Sequence, residues 1–519
     1  MTVSPKCLTL LQRWPLITSN THARSPHTGV MVRLVCASAR VCLLLTLLLA
    51  CAIPAIPPVH AEPVPEFYTR HRVRFGETVR APIAAVMPAW TFDAQAGATL
   101  VLHTTGAGLV RLRGPKVLGG DWNTIWDHRP PASARIQFNI PRSGRYGVFI
   151  TPTPGAPVTL RLECASQACA RSAWQRSLPP QTLGIIAVGD TGLQPHKAKN
   201  DRFGGYKYDE YHLYTEMLEG FERFLDDGDL KIANIETAVT TSHATSPKRY
   251  NFRMHPRGLS TLAQAGFDAF AMANNHAGDY RERGLLDSVA ALTALRKRYP
   301  QAGYAGIGRN FADATRPHIF ERKGVRIAHA SVGFGFSFPR SGPYMADLSD
   351  LGAVLAQLRK ARADLRILSV HFGSELKLIP SADARTLARN AIDAGVDILH
   401  GHHPHVVQGI ERRGGGLILY SLGNFLLRGA RNMGTREVDK DYGAAVRIAY
   451  DLRAKRLSSL EVVPVYDMHR VVVPLEADAA RLRIARINLR SRALGAGGVV
   501  LQTDARTGYG YAELAAPRK

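Results

Sequence analysis

From residue 183 to about residue 470, short apolar segments alternate with segments whose apolar residues recur at helical spacing. One predicted helix carries Leu285, Val289, Leu292 and Leu295, and a second covers 386–394. The predicted strands are 184–188, 326–332, 366–370, 396–400 and 417–420. Because strands that alternate with helices pack as layered α/β structure, this part of the chain is predicted to be an α/β domain.

Polar side chains follow five apolar strands of this domain, each at the carboxyl end of its strand. They are Asp190 after 185–188, Asn234 and Glu236 after 230–233, Asn275 and His276 after 268–273, His371 after 367–370, and His403 and His405 after 397–400. Open α/β sheets bind their ligands at this edge. Three imidazoles and two carboxylates suit Zn, Mn or Fe. The sequence therefore predicts a divalent metal site at Asp190, Glu236, His371, His403 and His405.

The N-terminal region has the features of an export signal. An apolar stretch over 41–53 follows Arg33 and Arg40 and precedes an A-x-A-like sequence at 59–61. This order predicts a cleaved secretory signal within 1–61, preceded by an upstream extension if Met31 is the start. Lipoprotein processing at Cys51 and a retained anchor are the alternatives, and either would attach the chain to a membrane. The expected location is periplasmic or at the cell surface.

Composition restricts the partners. Hydrophobic residues make up 45% and charged residues 21% of the chain, which excludes a mostly disordered chain, a collagen and a polytopic membrane protein. The net charge is +24, and removal of the five basic residues in 1–61 leaves +19. This charge favours an anionic surface polymer, a phosphorylated substrate or lipid headgroups as partner. Nucleic acid is not expected, because basic runs interleaved with aromatic residues are absent from the sequence.

Residues 62–164 differ in pattern from the rest of the chain. Short alternating strands over 99–105, 109–113, 134–140, 146–151 and 158–163 are separated by Gly, Pro and Asn clusters. Such spacing predicts a small all-β sandwich. The polar segment that follows, 165–182, is predicted to be a linker. Export makes a disulfide between Cys164 and Cys169 the expected state, with two free thiols as the alternative. Asp121, Trp122 and Trp126 are either a carbohydrate-binding face or ordinary core and loop residues.

Six ordered motifs in the α/β domain resemble the CapA family, which is linked to poly-γ-glutamate capsule synthesis. They are G-D-T-G-L, N-I-E, A-N-N-H-A-G-D-Y, H-F-G-S-E, G-H-H-P-H-V-V-Q and Y-S-L-G-N-F. The resemblance covers roughly 183–470. It implies a fold similar to calcineurin-like metallophosphoesterases: a four-layer β-sandwich flanked by helices. Residues 471–519 are then expected to be an extension that packs on it.

The resemblance also implies roles for individual residues. Asp190 matches the first metal-ligand aspartate, and Glu236 stands where a bridging aspartate is usual, with Asn234 as the alternative. Asn275 matches a metal-ligand asparagine, and His276 matches the histidine that contacts the reacting phosphate. The other matches are His371 and the pair His403 and His405, with His402 as a weaker candidate. One or two divalent ions (Mn, Zn or Fe) are expected.

The first motif departs from the metallophosphoesterase pattern. The usual D-x-H is here Asp190-Thr191-Gly192, so one ligand is missing unless His196 replaces it. This departure leaves two functions open. One is an exported metal-dependent hydrolase or transferase that acts on an anionic polymer, works with capsule-synthesis machinery and binds its substrate through Lys248, Arg249 and Arg253. The other is a non-catalytic polymer-binding or capsule-assembly protein, in which these basic residues are solvated surface.

Overall fold

The computed structural model describes most of the chain beyond residue 70. The described residues are 71–72, 78–81, 89–94, 98–114, 124–129, 133–140, 144–154, 156–166, 175, 177–193, 217–218, 221–225, 228–336, 338–427, 439–466, 472–475 and 477–514. The predicted signal segment 1–61, Asp121, Trp122, His196 and half of the predicted linker lie outside them.

The first nine strands form two sheets. Five strands pair in the order β1-β3-β8-β5-β6, and four pair in the order β2-β9-β4-β7. The strands are β1 (His71–Arg72), β2 (Thr78–Ala81), β3 (Ala89–Ala94), β4 (Thr99–Thr105), β5 (Ala107–Arg113), β6 (Thr124–His128), β7 (Ser133–Asn139), β8 (Gly144–Pro152) and β9 (Val158–Cys164). Alternation predicted five of them, and the short strands β1, β2, β3 and β6 were missed.

One apolar core joins these two sheets. Trp90 and Tyr146 from the five-stranded sheet share it with Leu100 and Leu162 from the four-stranded sheet. Burial of such side chains contributes roughly 1.5–3 kcal/mol each, which is why the alternating pattern selects this arrangement. Cys164 at the end of β9 is disulfide-bonded, and Cys169, its predicted partner, lies outside the described residues.

Twenty further strands follow, from β10 to β29. They are β10 (Thr182–Gly192), β11 (Leu230–Ile235), β12 (Ala238–Val239), β13 (Arg253–Met254), β14 (Ala269–Ala271), β15 (Gly303–Ala305), β16 (Ile307–Gly308), β17 (His318–Arg322), β18 (Val325–Gly333), β19 (Tyr344–Met345), β20 (Leu365–His371), β21 (Ile398–His402), β22 (Ile410–Arg413), β23 (Gly416–Leu419), β24 (Asn424–Leu427), β25 (Gly443–Asp451), β26 (Arg456–Tyr466), β27 (Val473–Pro474), β28 (Gln502–Thr503) and β29 (Gly510–Glu513).

Most of these strands belong to two large sheets. The ten-stranded sheet runs β15-β14-β11-β10-β25-β26-β29-β28, with β24 beside β10 and β27 beside β26. The six-stranded sheet runs β17-β18-β20-β21-β23-β22. Strands β10, β11 and β14 are parallel to one another, as are β18, β20 and β21. Parallel neighbours place their carboxyl ends at the same edge, where the predicted site residues are.

Seven α-helices are described, together with a short 3-10 helix at Leu348–Asp350. The Asn310 side chain caps α4, and the Ser381 side chain caps α6. The helices are α1 (Glu222–Leu225), α2 (Pro256–Gln264), α3 (Arg281–Arg298), α4 (Phe311–Thr315), α5 (Leu351–Lys360), α6 (Ala382–Asp393) and α7 (Ala477–Arg492). With these elements, the predicted mixed α/β domain is confirmed.

Successive residues of a central strand enter different cores, as pleating requires. Ile185 of β10 and Ile367 of β20 share one core, which contains apolar residues of both large sheets. The next residue, Ile186, joins a second core with helix α3, and Leu368 joins a third with helices α5 and α6. Both strands are therefore buried on both faces, so they read as continuous apolar runs.

The C-terminal segment contributes strands to the ten-stranded sheet. Strand β29 pairs antiparallel with β26, with Leu460 opposite Ala512. Helix α7 contacts β26 and also β22 of the six-stranded sheet. Across the described residues, every helix is too short or too polar to cross a lipid bilayer.

Candidate metal centre and the adjacent histidine

Strand register brings the polar strand ends together. Asp190 of β10 lies opposite Asn234 of β11, and His371 of β20 lies opposite His402 of β21. Asn234 then links the two sheets, because its Nδ2 lies 2.9 Å from Asp190 Oδ1 and 3.3 Å from His371 Nδ1. The ends of strands from both large sheets therefore meet at one buried polar cluster.

Asp190 is fully buried and held from several sides. Its Oδ1 lies 2.9 Å from His402 Nδ1, and its Oδ2 lies 3.3 Å from His405 Nδ1 and accepts a 3.3 Å bond from the His403 backbone N–H. Burial opposes ionisation, but hydrogen bonds from His402 and His405 hold the pKa of Asp190 well below its usual range. Asp190 is therefore an ionised carboxylate.

Glu236 is the least satisfied group in the cluster. It is fully buried, yet neither carboxylate oxygen has a hydrogen-bond partner in the part of the chain that the structure describes. Its Oε1 lies 3.4 Å from His371 Nε2 and 3.6 Å from His405 Nε2. Burial raises the pKa of Glu236 to about 7 against the opposing effect of His405.

The histidines differ in charge. Burial lowers the pKa of His371 well below its usual range and that of His403 to about 2, so both are neutral. His371 Nε2 lies 2.9 Å from Asn275 Oδ1. Burial would also lower the pKa of His405, but the carboxylates of Glu236 and Asp190 raise it to about 10. Neutral imidazoles offer the lone pair that a metal ion requires.

The loop after β21 adopts an uncommon backbone conformation. His403 has φ 95° and His405 has φ 55°, in the left-handed region that favours glycine. His405 Nδ1 lies 2.8 Å from Asn424 Oδ1, and Phe334 stands edge-on to His403 with ring centroids 4.6 Å apart. The loop turns both rings of the H-x-H pair towards the buried carboxylates.

The donor set fits a divalent cation. Three groups of side chains have ligand atoms within 4.8 Å of one another: Glu236 with His371 and His403, Asp190 with Glu236 and His405, and Glu375 with His403 and His405. The free oxygens of Glu236 and the unpartnered Nδ1 of His403 are the buried polar atoms that an ion would satisfy. His402 belongs to none of these groups among the described residues, and its Nδ1 holds Asp190 instead.

His276 lies beside this cluster and is oriented by an acid. Its Nδ1 lies 2.6 Å from Asp279 Oδ2, and its ring stacks on Phe252 with centroids 4.0 Å apart. Asp279 is fully buried and also lies 2.5 Å from Lys248 Nζ. Because Nδ1 donates to Asp279, Nε2 is the ring nitrogen left for proton exchange with a substrate.

The three predicted substrate-binding cations have different surroundings. Lys248 Nζ donates to the Asn275 carbonyl at 2.7 Å, so it is tied to the predicted site. Arg253 donates to the carbonyl oxygen of Ser242 at 2.7 Å and supports a loop. Arg249 is exposed, with its guanidinium 5.1 Å from the Tyr250 ring. Of the three, Lys248 is the one that contacts the residues around His276.

A side chain at the position of the usual D-x-H histidine would crowd the end of Leu427. Gly192 is buried in β10, and a Cβ atom placed there would lie 2.9 Å from Leu427 Cδ1. Thr191 Oγ1 donates to the Gly189 carbonyl at 3.1 Å. His196, the residue suggested as a replacement ligand, lies outside the described residues. The site is therefore built without the first-motif histidine among the described residues.

Two site residues carry signals that the sequence interpretation did not use. Asp279 follows His276 by three residues within A-N-N-H-A-G-D-Y, a spacing that a turn brings together. Glu375 lies within H-F-G-S-E, four residues after His371. The contact of Glu375 with the H-x-H loop depends on the conformation of two turns. The spacing of apolar residues in the sequence does not predict that contact.

Comparisons with known proteins find similar capsule synthesis proteins. Residues 184–428 match the family described as "Bacterial capsule synthesis protein PGA_cap". "Capsule biosynthesis protein CapA" of Bacillus anthracis is 28% identical over 61% of this chain and 75% of its own length. "PGA biosynthesis protein CapA" of Bacillus subtilis is 29% identical over 49% of this chain and 65% of its own length.

A third relative comes from Mycobacterium tuberculosis. This "Probable polyglutamine synthesis accessory protein" is 29% identical over 46% of this chain and 65% of its own length. The matched region contains Asp190, Glu236, His371 and both histidines of the H-x-H pair. The resemblance expected from the six motifs is confirmed: residues 184–428 are similar to the CapA-type family of bacterial capsule synthesis proteins, PGA_cap.

Proposed function

We propose that this protein is an exported, metal-dependent hydrolase or transferase that acts in the synthesis of a capsule or a poly-γ-glutamate-type surface polymer. The proposed substrate is an anionic polymer or a phosphorylated precursor. The proposed fold is the four-layer arrangement of metallophosphoesterases, which the two-sided burial of β10 and β20 supports. The names of the CapA relatives support the role in capsule synthesis, and the N-terminal sequence pattern supports export.

The single observation that carries the proposal is Glu236. A buried carboxylate with both oxygens unpartnered costs several kcal/mol relative to a satisfied one. Neutral His371 and His403 beside it provide ring nitrogens for the same ligand. A divalent cation accounts for this combination, because it supplies the missing partner of Glu236 and accepts the lone pairs of the imidazoles.

The residues that would hold the ion are Asp190, Glu236, His371, His403 and His405. Bound there, a divalent ion supplies Lewis acidity and neutralises charge that develops on a phosphoryl group. His276, held through Nδ1 by Asp279, is placed to transfer a proton at Nε2 to a leaving oxygen. Lys248, which is bonded to the Asn275 carbonyl, fixes the backbone that presents His276.

The experiment is hydrolysis of bis(p-nitrophenyl) phosphate by the full chain after reconstitution with Mn²⁺. The wild type is expected to turn over this phosphodiester above the rate of Mn²⁺ in buffer. His276→Ala is expected to lower kcat by roughly 10²–10⁴-fold, the usual contribution of a general acid, and to retain its metal. His243→Ala, an exposed histidine of the neighbouring loop, is the matched control and should keep the wild-type rate.

A specific observation also favours a non-catalytic binding protein. The D-x-H histidine is absent, and Leu427 lies beside Gly192 where the side chain of that histidine would begin. If the metal-loaded wild type is no faster than Mn²⁺ in buffer with this phosphodiester and with phosphomonoesters, the enzyme proposal fails. The same protein would then act as a capsule-assembly component that binds an anionic polymer.

A further inference from the structure

A groove lined by positive charge lies on the six-stranded sheet, away from the metal-binding cluster. Its volume is about 530 Å³, within the range of sites that bind small ligands. It lies between the end of α5 and the strands β17 and β18. Its four cationic side chains are those of Arg316, Arg326, Lys360 and Arg362, and none of the residues that line it is an aspartate or a glutamate.

Two of these four cations have no partner. Lys360 and Arg362 are exposed, and neither forms an ion pair or a side-chain hydrogen bond with the residues that the structure describes. By contrast, Arg326 lies 3.2 Å from Glu321, and Arg316 pairs with an aspartate of α4. The groove therefore has more positive charge than its surroundings neutralise.

The end of α5 does not need the two free cations. Basic side chains near the C-terminus of a helix often hydrogen-bond its last carbonyl groups. Here Arg366 Nε donates to the Leu358 carbonyl at 3.2 Å, and Arg326 Nε donates to the Ala361 carbonyl at 3.4 Å. Because other arginines bond to these carbonyls, the charged ends of the two free cations remain available to a ligand.

Arg362 occupies a backbone position that favours glycine. It follows Ala361, the C-cap of α5, and has φ 48°. Glycine is the usual residue at such a position, because a Cβ atom disfavours the left-handed conformation. Other residues held in this conformation cluster at ligand sites. The arginine here therefore supports a role for its side chain in binding.

The other lining residues indicate which kind of anion would fit. Pro317, Ile319 and Ala361 give the groove an apolar surface. No aromatic side chain lines it, so the groove offers no stacking surface for nucleic acid bases. Guanidinium groups bind carboxylates through two parallel hydrogen bonds. The lining therefore fits a flexible chain that carries carboxylates on short apolar spacers.

The groove and the candidate metal centre lie at opposite ends of β18. Arg326 is the second residue of this strand, whereas Gly333, its last residue, lies opposite His371. The strand between these two positions is roughly 23 Å long at about 3.3 Å per residue. The groove is therefore a separate site and not an extension of the metal centre.

We propose that this groove binds a segment of a polycarboxylate chain, with Lys360 and Arg362 as its principal contacts. The identity of the polymer rests on the proposed function, whereas the position and charge of the groove do not depend on a metal ion. A polymer held in the groove would keep its other segments close to the metal centre, which raises their effective concentration there.

The test measures binding of fluorescein-labelled poly-glutamate to the full chain by fluorescence anisotropy, at low salt and in EDTA. The wild type is expected to bind, with a Kd that rises as salt is added. Lys360→Gln combined with Arg362→Gln is expected to raise the Kd by about 10-fold. Arg453→Gln combined with Lys455→Gln is the matched control, since it removes two exposed charges at the same spacing, and Lys455 has φ 50°. This control should change the Kd by less than about 2-fold.

A second variant separates binding from folding. Arg362→Gly removes the guanidinium and introduces the residue that best suits positive φ. The urea concentration at the midpoint of unfolding should therefore not fall, while the Kd for poly-glutamate should still rise by about 3-fold or more. An unchanged Kd in this variant would contradict the role of Arg362.

Three results would overturn the proposal. They are a wild type that does not bind poly-glutamate, an equal rise in Kd in the groove variant and its control, and a groove variant that loses binding to vesicles of anionic phospholipid but keeps its affinity for poly-glutamate. The last result would assign the groove to a membrane surface. Hydrolysis of bis(p-nitrophenyl) phosphate is measured separately, so failure of the proposed enzyme and failure of the groove are distinguishable.

Discussion

The two β-rich regions of this chain have interiors of different chemistry. The core shared by β1–β9 is apolar, and in the described part of 71–166 Thr104 is the one buried polar residue. The described region from β10 onwards buries Asp190, Glu236 and seven histidines in addition to a larger apolar core. The seven are His276, His329, His371, His400, His402, His403 and His405.

Buried charged groups in this chain differ in whether they have a partner. Apolar packing alone can stabilise a fold. Burying a charged side chain costs desolvation free energy, and the attraction within a buried ion pair offsets only part of that cost. Arg447 and Glu461 form such a buried pair between β25 and β26, in which one carboxylate oxygen of Glu461 bonds to the guanidinium. Glu236 has no equivalent partner in the described ranges. A buried carboxylate with both oxygens unpartnered, as in Glu236, separates the candidate site from a structural pair such as Arg447 and Glu461.

The largest expected effect tests the apolar region. Leu162→Ala removes a fully buried side chain from the core of β1–β9 and is expected to lower the free energy of unfolding of that region by about 3 kcal/mol, through lost burial and a residual cavity. Urea unfolding followed by intrinsic fluorescence measures it. Leu482→Ala, which is 42% exposed on α7, should change the value by less than about 0.5 kcal/mol. Loss of bound metal in Leu162→Ala would contradict the separation of the apolar core of β1–β9 from the candidate metal centre.

The second effect tests the polar region. His403→Ala keeps the backbone strain at φ 95°, because alanine is no better suited to it, and removes the imidazole. Metal affinity is expected to fall at least about 100-fold, which is about 2.7 kcal/mol of binding free energy. Loss of a residue that hydrogen-bonds to a metal ligand usually lowers affinity by about 10–100-fold, and loss of the ligand itself should have a larger effect. Competition with a fluorescent chelator measures the affinity. His103→Ala, a half-buried histidine in β4, is the control, and equal affinities in both variants would contradict the assignment of His403.

The smallest effect concerns pH. His329 belongs to β18, which lies between β17 and β20, and its Nε2 is 2.9 Å from Ser369 Oγ. Burial, with the charges of His318 and His402, lowers the pKa of His329 to about 3. The unfolded chain protonates this histidine near pH 6.5 and the folded chain does not. The free energy of unfolding should therefore decrease as pH falls below 6.5, and this group contributes about 1 kcal/mol between pH 6.5 and 5.5.

The measurement is urea unfolding at several pH values. His329→Gln retains a donor for Ser369 and removes the titration, so its stability should fall less steeply with acid than that of the wild type. An identical slope in wild type and variant would show that His329 is protonated in the folded chain. The same result would mean that His329 gives the interior of the region from β10 onwards no greater sensitivity to acid than the core of β1–β9 has.

Much of the scaffold could be predicted from apolar periodicity. The strands 366–370 and 326–332 and the helix through Leu285 and Leu292 lie within a residue or two of β20, β18 and α3. The strand-end positions of Asp190 and His371 followed from the same pattern. The long central strands β25 and β26 were not identified, because nothing marks them as partners of β10, which is more than two hundred residues away in sequence.

The finer features of the site could not be predicted. The approach of Glu375 to the H-x-H loop depends on positive φ at Leu376 and His403, and neither residue type announces that conformation. The bond from Asp279 to His276 and the space taken by Leu427 depend on individual side-chain positions. Patterns of apolar residues fix which strands form, while turn conformations decide which functional groups meet.

The pairing of β10 with β25 also sets the order in which the molecule can be completed. Ile185 lies opposite Ile448, and the neighbouring strand β26 is bordered in turn by β29 at Gly510–Glu513. The strands β1–β9 find all their partners within 71–164 and can pair while the rest of the chain is still being synthesised. The ten-stranded sheet cannot be completed until β29 has emerged, and the edge of β10 that pairs with β25 stays unpaired until β25 is made. Distant pairing of this kind is slow, and a holding factor that protects this edge of β10 would act until β25 has emerged.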